Sequence, residues 1–269
     1  MLIWHNIKNY DLETVSNRIA FIKSNMNEMF PLYGKEMKNI RIYAEKNHIP
    51  IYELMSIRNT INVQNEIDSS KKIYKHLSKI KFRFIQLSKK HPNNVSIKNF
   101  LQWTKMPIQM IIKIISQMPE YQNLSDKNIQ YLSKISKLIY QYNQIIHHRS
   151  RQFEIILENY LVKEKIKFKT EIDIKKSGYT VTPDILFDKP IDIVVDGTQH
   201  TIYWMDAKNY ILTDAPFIIK SLNKQASKYH SAFGLGAFVF HYGFDCNIDI
   251  PNVLILDGSF LDESLKNIF

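Results

Sequence analysis

Three polar side chains in the second half of the chain have the types and spacing to hold a divalent cation together with an activated water. Asp184 follows Pro183 at the head of an apolar run, Ile185-Leu-Phe187, and Asp206 and Lys208 close a second run, Ile202-Tyr-Trp-Met205. Residues two apart on a strand point to one face, so Asp206 and Lys208 are expected side by side. Asp184, on the neighbouring strand, supplies a second acid. Two carboxylates about 4 Å apart repel by about 4 kcal/mol at an effective dielectric of about 20. A hard divalent cation, Mg²⁺ or Mn²⁺, removes that cost and takes oxygen ligands of this kind. Bound there, it acidifies a water, with Lys208 placed to orient it. The competing reading is a strand-end salt bridge at the surface, which is worth little.

The acid-x-Lys triplet alone carries no weight, since Glu36-Met-Lys38 and Asp173-Ile-Lys175 have the same form. The context carries it. Only Asp206-Ala-Lys208 ends an apolar strand that follows a Pro-Asp strand start across a turn. Glu154, on the helical stretch Phe153–Tyr160 ahead of the strands, is a candidate third metal ligand. Glu158 lies four residues on and shares its face, so either can serve, with Glu154 preferred. Gln225 and Tyr229 share a helical face, Gln225 to orient DNA or water, with Lys224 or Lys228 to meet a phosphate. Glu171 and Asp173 are candidate accessory acids.

These residues need a scaffold. Gln152–Val162 reads as an amphipathic helix. Ile166–Ile174 alternates apolar and polar with period two, the pattern of a half-buried strand. Strands are then expected at 184–187, 191–195 and 201–205, with Asp196-Gly197 as a hairpin turn, followed by a helix over 217–233 and buried strands at 236–242 and 253–256. That order gives an α/β domain, a mixed sheet flanked by helices, over residues 151–269.

Residues 1–150 read as an all-α domain. Val15, Ile19 and Ile22 fall on one helical face; Ile73, Leu77, Ile80, Phe84 and Leu87 do so on another, with lysines between them. His91-Pro92-Asn93-Asn94 is a break and a sub-boundary near 91–95. Ser96 caps a helix to Trp103, a turn follows at Lys105-Met-Pro107, and a helix runs over 108–116. This unit, and 40–57 with its turn at 46–50, have helix-turn-helix character. Any helical bundle also contains such corners. His147-His148 reads as a surface pair, His241 as a satisfied core histidine, and Trp4 and Trp103 as core.

Charge separates the halves. Residues 1–150 carry 23 Lys and Arg against 10 Asp and Glu; residues 151–269 carry 13 against 16. No acid lies between Asp68 and Glu120, yet eleven bases do, among them Lys71, Lys72, Lys75, Lys79, Arg83, Lys89, Lys90, Lys98 and Lys105. A one-signed block repels itself unless a polyanion is near, and nucleic acid is the expected partner, through phosphate contacts. A solvated helical surface in a Lys-rich organism is the alternative. The one cysteine, Cys246, excludes an internal disulfide and a Cys-based zinc site. No apolar stretch suits a membrane span, no secretory signal is expected from the first residues, and an intracellular setting follows.

Tyr179-Thr-Val-Thr182-Pro183-Asp184, Tyr203-Trp-Met-Asp206-Ala-Lys208 and Tyr242-Gly-Phe244 together resemble the TPD-motif branch of the PD-(D/E)xK nuclease superfamily, and Gln225-x-x-x-Tyr229 is similar to a helix motif of RecB-like members. The resemblance covers about residues 151–258. It implies a restriction-endonuclease-like fold, Mg²⁺-dependent phosphodiester cleavage, and a helical N-terminal part with helix-turn-helix character. Relatives often carry Glu where this chain has Asp206. The expected protein is a metal-dependent DNA nuclease, with RNA not excluded, and junctions or flaps as targets by analogy at the level of fold. A symmetric homodimer is the analogous assembly, and no protein partner is indicated. A non-catalytic nucleic-acid-binding scaffold is the alternative, and the intact Asp184, Asp206 and Lys208 set argues against it.

Overall fold

Asp196 and Gly197 both have positive φ, 49° and 85°. Two left-handed residues make the tight turn whose twist matches its flanking strands. The turn joins two strands of 11 residues each. The computed structural model describes residues 1–26, 35–90, 96–104 and 106–262, with Tyr74, Leu87 and Lys90 by backbone alone. Its strands are β1 (Leu2–Trp4), β2 (Asn9–Tyr10), β3 (Phe168–Thr170), β4 (Ile185–Val195), β5 (Thr198–Lys208), β6 (Gly236–Phe240), β7 (Phe244–Asp245) and β8 (Val253–Asp257). Its helices are α1 (Leu12–Asn25), α2 (Lys35–Lys46), α3 (Ile51–Lys90), α4 (Ile97–Thr104), α5 (Ile108–Ile115), α6 (Asp126–Lys163), α7 (Glu171–Lys176) and α8 (Pro216–Phe233). The break at 91–94, the sub-boundary near 91–95, Lys105 and the side chain of Lys90 lie outside the described residues.

Among the described residues the main sheet runs β1-β4-β5-β6-β8, with β3 also on β4. The β3–β4 and β4–β5 pairs are antiparallel and the others parallel, so the sheet is mixed, as the element order implied. Phe153, Leu157 and Leu161 of α6 close one face, together with Ile185, Ile193, Ile202 and Met205. Ile218, Leu222 and Ala226 of α8 close the other against Trp204, Phe238 and Phe240. Alternation along β5 thus sends Met205 toward α6 and Trp204 and Asp206 toward α8. Gly236 lets β6 lie against Trp204, because a Cβ there would come within 2.1 Å of the indole.

Three expectations differ from the structure. The first residues are not all helical: β1 pairs in parallel with β4, and β2 with β7. Trp4 is fully buried, and its indole N–H donates to the Asp257 carbonyl at 2.8 Å. Strands this short show no periodicity. Ile166–Ile174 is not one strand, for β3 stops at Thr170 and α7 begins. Thr170 and Asp173 cap that helix reciprocally, satisfying its free N–H groups and outweighing the alternating pattern. Finally, no helix boundary falls near residue 150, since α6 is continuous over 38 residues.

The chain divides into two units, Met1–Ser24, Arg41–Arg58 and His147–Phe269 in one, Asn25–Ile40 and Asn59–Ile146 in the other. The first residues fall with 147–269 because β1 joins the main sheet beside β4, while β2 pairs with β7 in a separate two-stranded sheet. The helical unit has its own core, in which Ile80 and Phe84 of α3 meet Phe100 and Leu101 of α4, Ile111 and Ile115 of α5, and Leu132 and Ile135 of α6. Opposite that apolar stripe Lys71, Lys72, Lys75, Lys79, Arg83 and Lys89 are exposed, as is Lys98 on α4. No described helix is long and apolar enough to cross a membrane.

Candidate active site

The antiparallel register pairs Ile185 with Met205, and one step further sets Asp184 beside Asp206. Pro183 fixes its own φ and holds Thr182 extended, so the chain enters β4 without freedom at this point. The Asp184 carboxylate accepts the Ala207 N–H at 2.8 Å. It is thereby anchored to the strand that carries Asp206 and Lys208. The Lys208 ammonium is ion-paired with Asp206, donates to Gln225 Oε1 at 2.9 Å, and lies 4.9 Å from the centre of the Phe238 ring. Gln225 Nε2 donates to Asp206 Oδ2 at 3.1 Å and to the Tyr229 hydroxyl at 2.8 Å. That hydroxyl donates to the Thr182 carbonyl at 3.1 Å. Asp184, Asp206, Lys208 and Gln225 are therefore brought together in one closed network, and Tyr229 ties it back to the Thr-Pro-Asp corner.

Charge in this network is not balanced. Two carboxylates face one ammonium. Burial pushes the Asp184 carboxyl up to about 7, and the Asp206 charge pushes the same way; the Ala207 N–H opposes them, Glu154 adds a smaller push upward, and Lys208 a small pull down. The Tyr229 hydroxyl is also held well above its ordinary value, first by burial and then by Asp206. The site accommodates one more positive charge next to Asp184.

Glu154 stands apart from this set. Its helix packs on the opposite face of the sheet from Asp206, and its carboxylate is engaged by Arg151 at 2.7 Å, which also reaches Glu158 at 3.2 Å. Among the described residues no group of three or more His, Cys, Asp or Glu side chains comes together as a metal cage. Asp184 and Asp206 remain as a pair of oxygen donors. Such a pair suits Mg²⁺, which commonly takes one or two carboxylates and fills its shell with waters and substrate phosphates. The donor chemistry and the unneutralised second charge fit a divalent cation.

Other candidates have structural work. Asp173 caps α7 and Glu171 pairs with Lys175 at 2.6 Å. Lys224 and Lys228 are exposed on α8, and His147 and His148 are exposed on α6. His241 is buried, with its ring nitrogens 2.8 Å from Asn209 Oδ1 and 3.0 Å from Asp262 Oδ2. Its ring is stacked between Phe153 and Tyr242. Spacing gave no sign of the Ala207 amide or of the Thr182 carbonyl as members of the site, since both are backbone groups.

The profile of one sequence family, described as protein of unknown function with the TPD sequence motif, matches residues 121–259, which include every member of this network. The chain belongs to the TPD family. It is 41% identical over 269 residues to uncharacterized protein L539 of Acanthamoeba polyphaga mimivirus, covering 99% of this chain and 98% of that protein. It is also 30% identical over 118 residues to CDAN1-interacting nuclease 1 of Xenopus tropicalis, a match covering 42% of this chain and 37% of that protein. The human CDAN1-interacting nuclease 1 is 29% identical over 107 residues, 38% of this chain and 36% of that protein. The matched region is little more than a third of those nucleases. No solved structure matches the chain.

The TPD tripeptide is the corner Thr182-Pro183-Asp184, and its three members contribute differently. Thr182 offers a carbonyl to Tyr229, Pro183 a rigid φ, and Asp184 a carboxylate to the site. The Tyr242-Gly243-Phe244 element serves the fold. Gly243 has φ of 79°, and a Cβ there would come within 2.2 Å of the Lys8 carbonyl. Phe244 pairs with β2, and the Tyr242 hydroxyl accepts from Arg149 at 2.9 Å.

Proposed function

We propose that this TPD protein is a divalent-cation-dependent nuclease of restriction-endonuclease-like fold that hydrolyses phosphodiester bonds in DNA, with junctions or flaps as its targets. The observation that carries the reading is the convergence of Asp184, Asp206 and Lys208, two acids and one base, at adjoining strand positions. The partial likeness to a named nuclease supports it. A bound Mg²⁺ or Mn²⁺ would supply Lewis-acid activation of the scissile phosphate and an acidified water.

The chain's own residues do the rest. Asp184 and Asp206 would hold the cation, and Asp184 is locked in position by the Ala207 amide. Lys208, paired with Asp206 and Gln225, would present its ammonium to the attacking water or to charge developing on phosphorus. Gln225 keeps the ammonium from swinging away, and Tyr229 fixes the amide of Gln225. Glu154, bound by Arg151, serves the site through its field rather than as a ligand. The exposed bases Lys71, Lys72, Lys75, Lys79, Arg83, Lys89 and Lys98 would grip phosphates, with Lys224 contributing from α8. The unit α4–α5 presents helix-turn-helix character for duplex contact.

A panel of labelled duplex, single-stranded, flap and four-way-junction DNA with Mg²⁺, Mn²⁺ or EDTA tests this reading. Cleavage is expected only with the metals, and Asp184→Ala should abolish it while leaving salt-sensitive binding intact. Cleavage by Asp184→Ala at the parent rate would overturn the site assignment. Binding without cleavage by the parent protein on every substrate would favour a scaffold.

A further inference from the structure

A cavity of about 250 Å³ lies in the helical unit, away from the acids of the α/β unit in sequence and in chemistry. Lys72, His76 and Lys79 on one face of α3 form one wall, and Trp103 and Thr104 at the end of α4 the other, with Ser69 at one end. Lys72, His76 and Lys79 are exposed, while Trp103 is half-buried. The Arg83 guanidinium stands 4.0 Å over the indole, which fixes the ring. Among the described residues lining the cavity none is acidic. A solvated lysine face alone would need neither a cavity nor an aromatic wall.

We infer that this cavity binds an unpaired nucleotide of a single-stranded nucleic acid, its base stacked on Trp103 in place of the Arg83 guanidinium and its flanking phosphates on Lys72 and Lys79. Lys72 and Lys79 are seven residues apart, about 10 Å along the helix axis, so two successive phosphates can sit on them with a base between. The volume lies just below the range of drug-sized pockets, about 300 Å³ upward, which suits one nucleoside rather than a larger ligand. Ser69 and Thr104 offer hydroxyls to a base edge and favour no particular base, as expected where stacking and charge set affinity. The inference deepens the nuclease reading by naming the substrate feature gripped, yet it needs no cleavage. It holds or fails whether or not Asp184 and Asp206 cut.

The protein carries its own reporter. Of its three tryptophans, Trp4 and Trp204 are fully buried, so a ligand that changes tryptophan emission by contact reports on Trp103. The experiment titrates the full chain, in EDTA, with oligo-dT and oligo-U of about 12 nucleotides and with a blunt hairpin duplex. Both emission and polarisation of a label are followed. The single strands are expected to quench emission and the duplex to leave it unchanged; comparison of oligo-dT with oligo-U assigns the strand as DNA or RNA.

Trp103→Leu should cost about 5- to 100-fold in affinity for the single strand, and Trp103→Phe, which keeps a stacking ring, should bind within a few-fold of the parent. Lys72→Glu with Lys79→Glu should lower the salt slope of log K by about 1.4, about 0.7 per phosphate. These lysines are exposed, so that pair keeps the inference testable if Trp103→Leu does not fold. Quenching by the duplex equal to that by the strand, single-strand binding without any change in emission, or unchanged affinity in the double lysine variant would each overturn it.

Discussion

In the α/β unit several charged groups are buried against named neighbours: Glu53 against Arg18 and Lys8, Asp257 against the amides of Lys8 and Ser259, Asp206 against Lys208 and Gln225, while Asp184 leans on the Ala207 amide. In the helical unit the bases of α3 stand exposed on an apolar framework, with Lys71 reaching Asp68 at 3.5 Å as a surface pair. Buried charges have fixed positions, because an unanswered one costs too much. They suit chemistry in which an ångström matters. Exposed charges of one sign act through a field that tolerates movement and is weakened by salt. The two units therefore differ in what breaks them: geometry in the first, ionic strength in the second.

The sharpest way to break the comparison is at Asp184. Asp184→Asn and Asp206→Asn are each expected to lower single-turnover cleavage by about 10³-fold or more, the equivalent of several kcal/mol of charge stabilisation. Without cation the Asp184→Asn protein should melt at or above the parent temperature, because one member of a repelling pair is gone. A lower melting temperature would show that the carboxylate serves the fold. Next in size is Gln225→Leu, which removes the acceptor that holds Lys208. A loss of about tenfold in the cleavage rate is expected, with binding of uncleaved DNA in EDTA unchanged. Equal losses in both would place Gln225 in substrate binding.

The helical unit gives a graded response where the site gives a step. Each of Lys75→Ala and Lys89→Ala is expected to reduce the slope of log K against log salt by about 0.9 on duplex DNA, which at fourfold change in salt is a factor of about 3. Cleavage at saturating DNA should not change. A lysine whose removal lowers the saturated rate would be acting at the site and would blur the distinction between the units.

This contrast also explains what could be read from the sequence. The basic block was legible because composition alone defines it: no acid from 69 to 119. Its partner was not, since a field names no ligand. That Asp206 and Lys208 share a face was legible because strand periodicity of two is rigid; that Asp184 stands beside Asp206 was not, because the pairing shifts between Leu186 and Ile191 away from the register set by the Asp-Gly turn. Where Glu154 stands relative to the acid pair was not legible, because helix periodicity says which residues share a face but not which face of the sheet the helix covers. Phe153 and Leu157 settle that by packing with Met205 rather than with Trp204. The three residues of β1 were invisible, as their place depends on Trp4 meeting the Asp257 carbonyl 253 positions away. The region 166–174 shows a local contest: the alternation was real, but the Thr170 and Asp173 cap turned half of it into a helix.

The smallest effect separates the units by pH. Burial and the Asp206 charge raise the Asp184 carboxyl to about 7, against an ordinary value of 3.8 when unfolded. Between those values the folded protein holds more protons than the unfolded one. The stability of the cation-free protein should therefore fall as pH rises from about 4 to about 7, and level off above. Asp257, also raised by burial, acts in the same sense and His241, lowered by burial, in the opposite one, so the Asp184 share is the difference between the parent and Asp184→Asn. The expected signature is a difference of a few degrees in the melting-temperature profile across pH 5 to 7 between the parent and Asp184→Asn. Mg²⁺ competes with the proton for the same oxygens, so its stabilisation of the parent should grow over that interval and vanish in the variant. A pH slope as steep in Asp184→Asn as in the parent would move its origin out of the site, and the contrast between a buried acid and an exposed basic surface would lose its thermodynamic half.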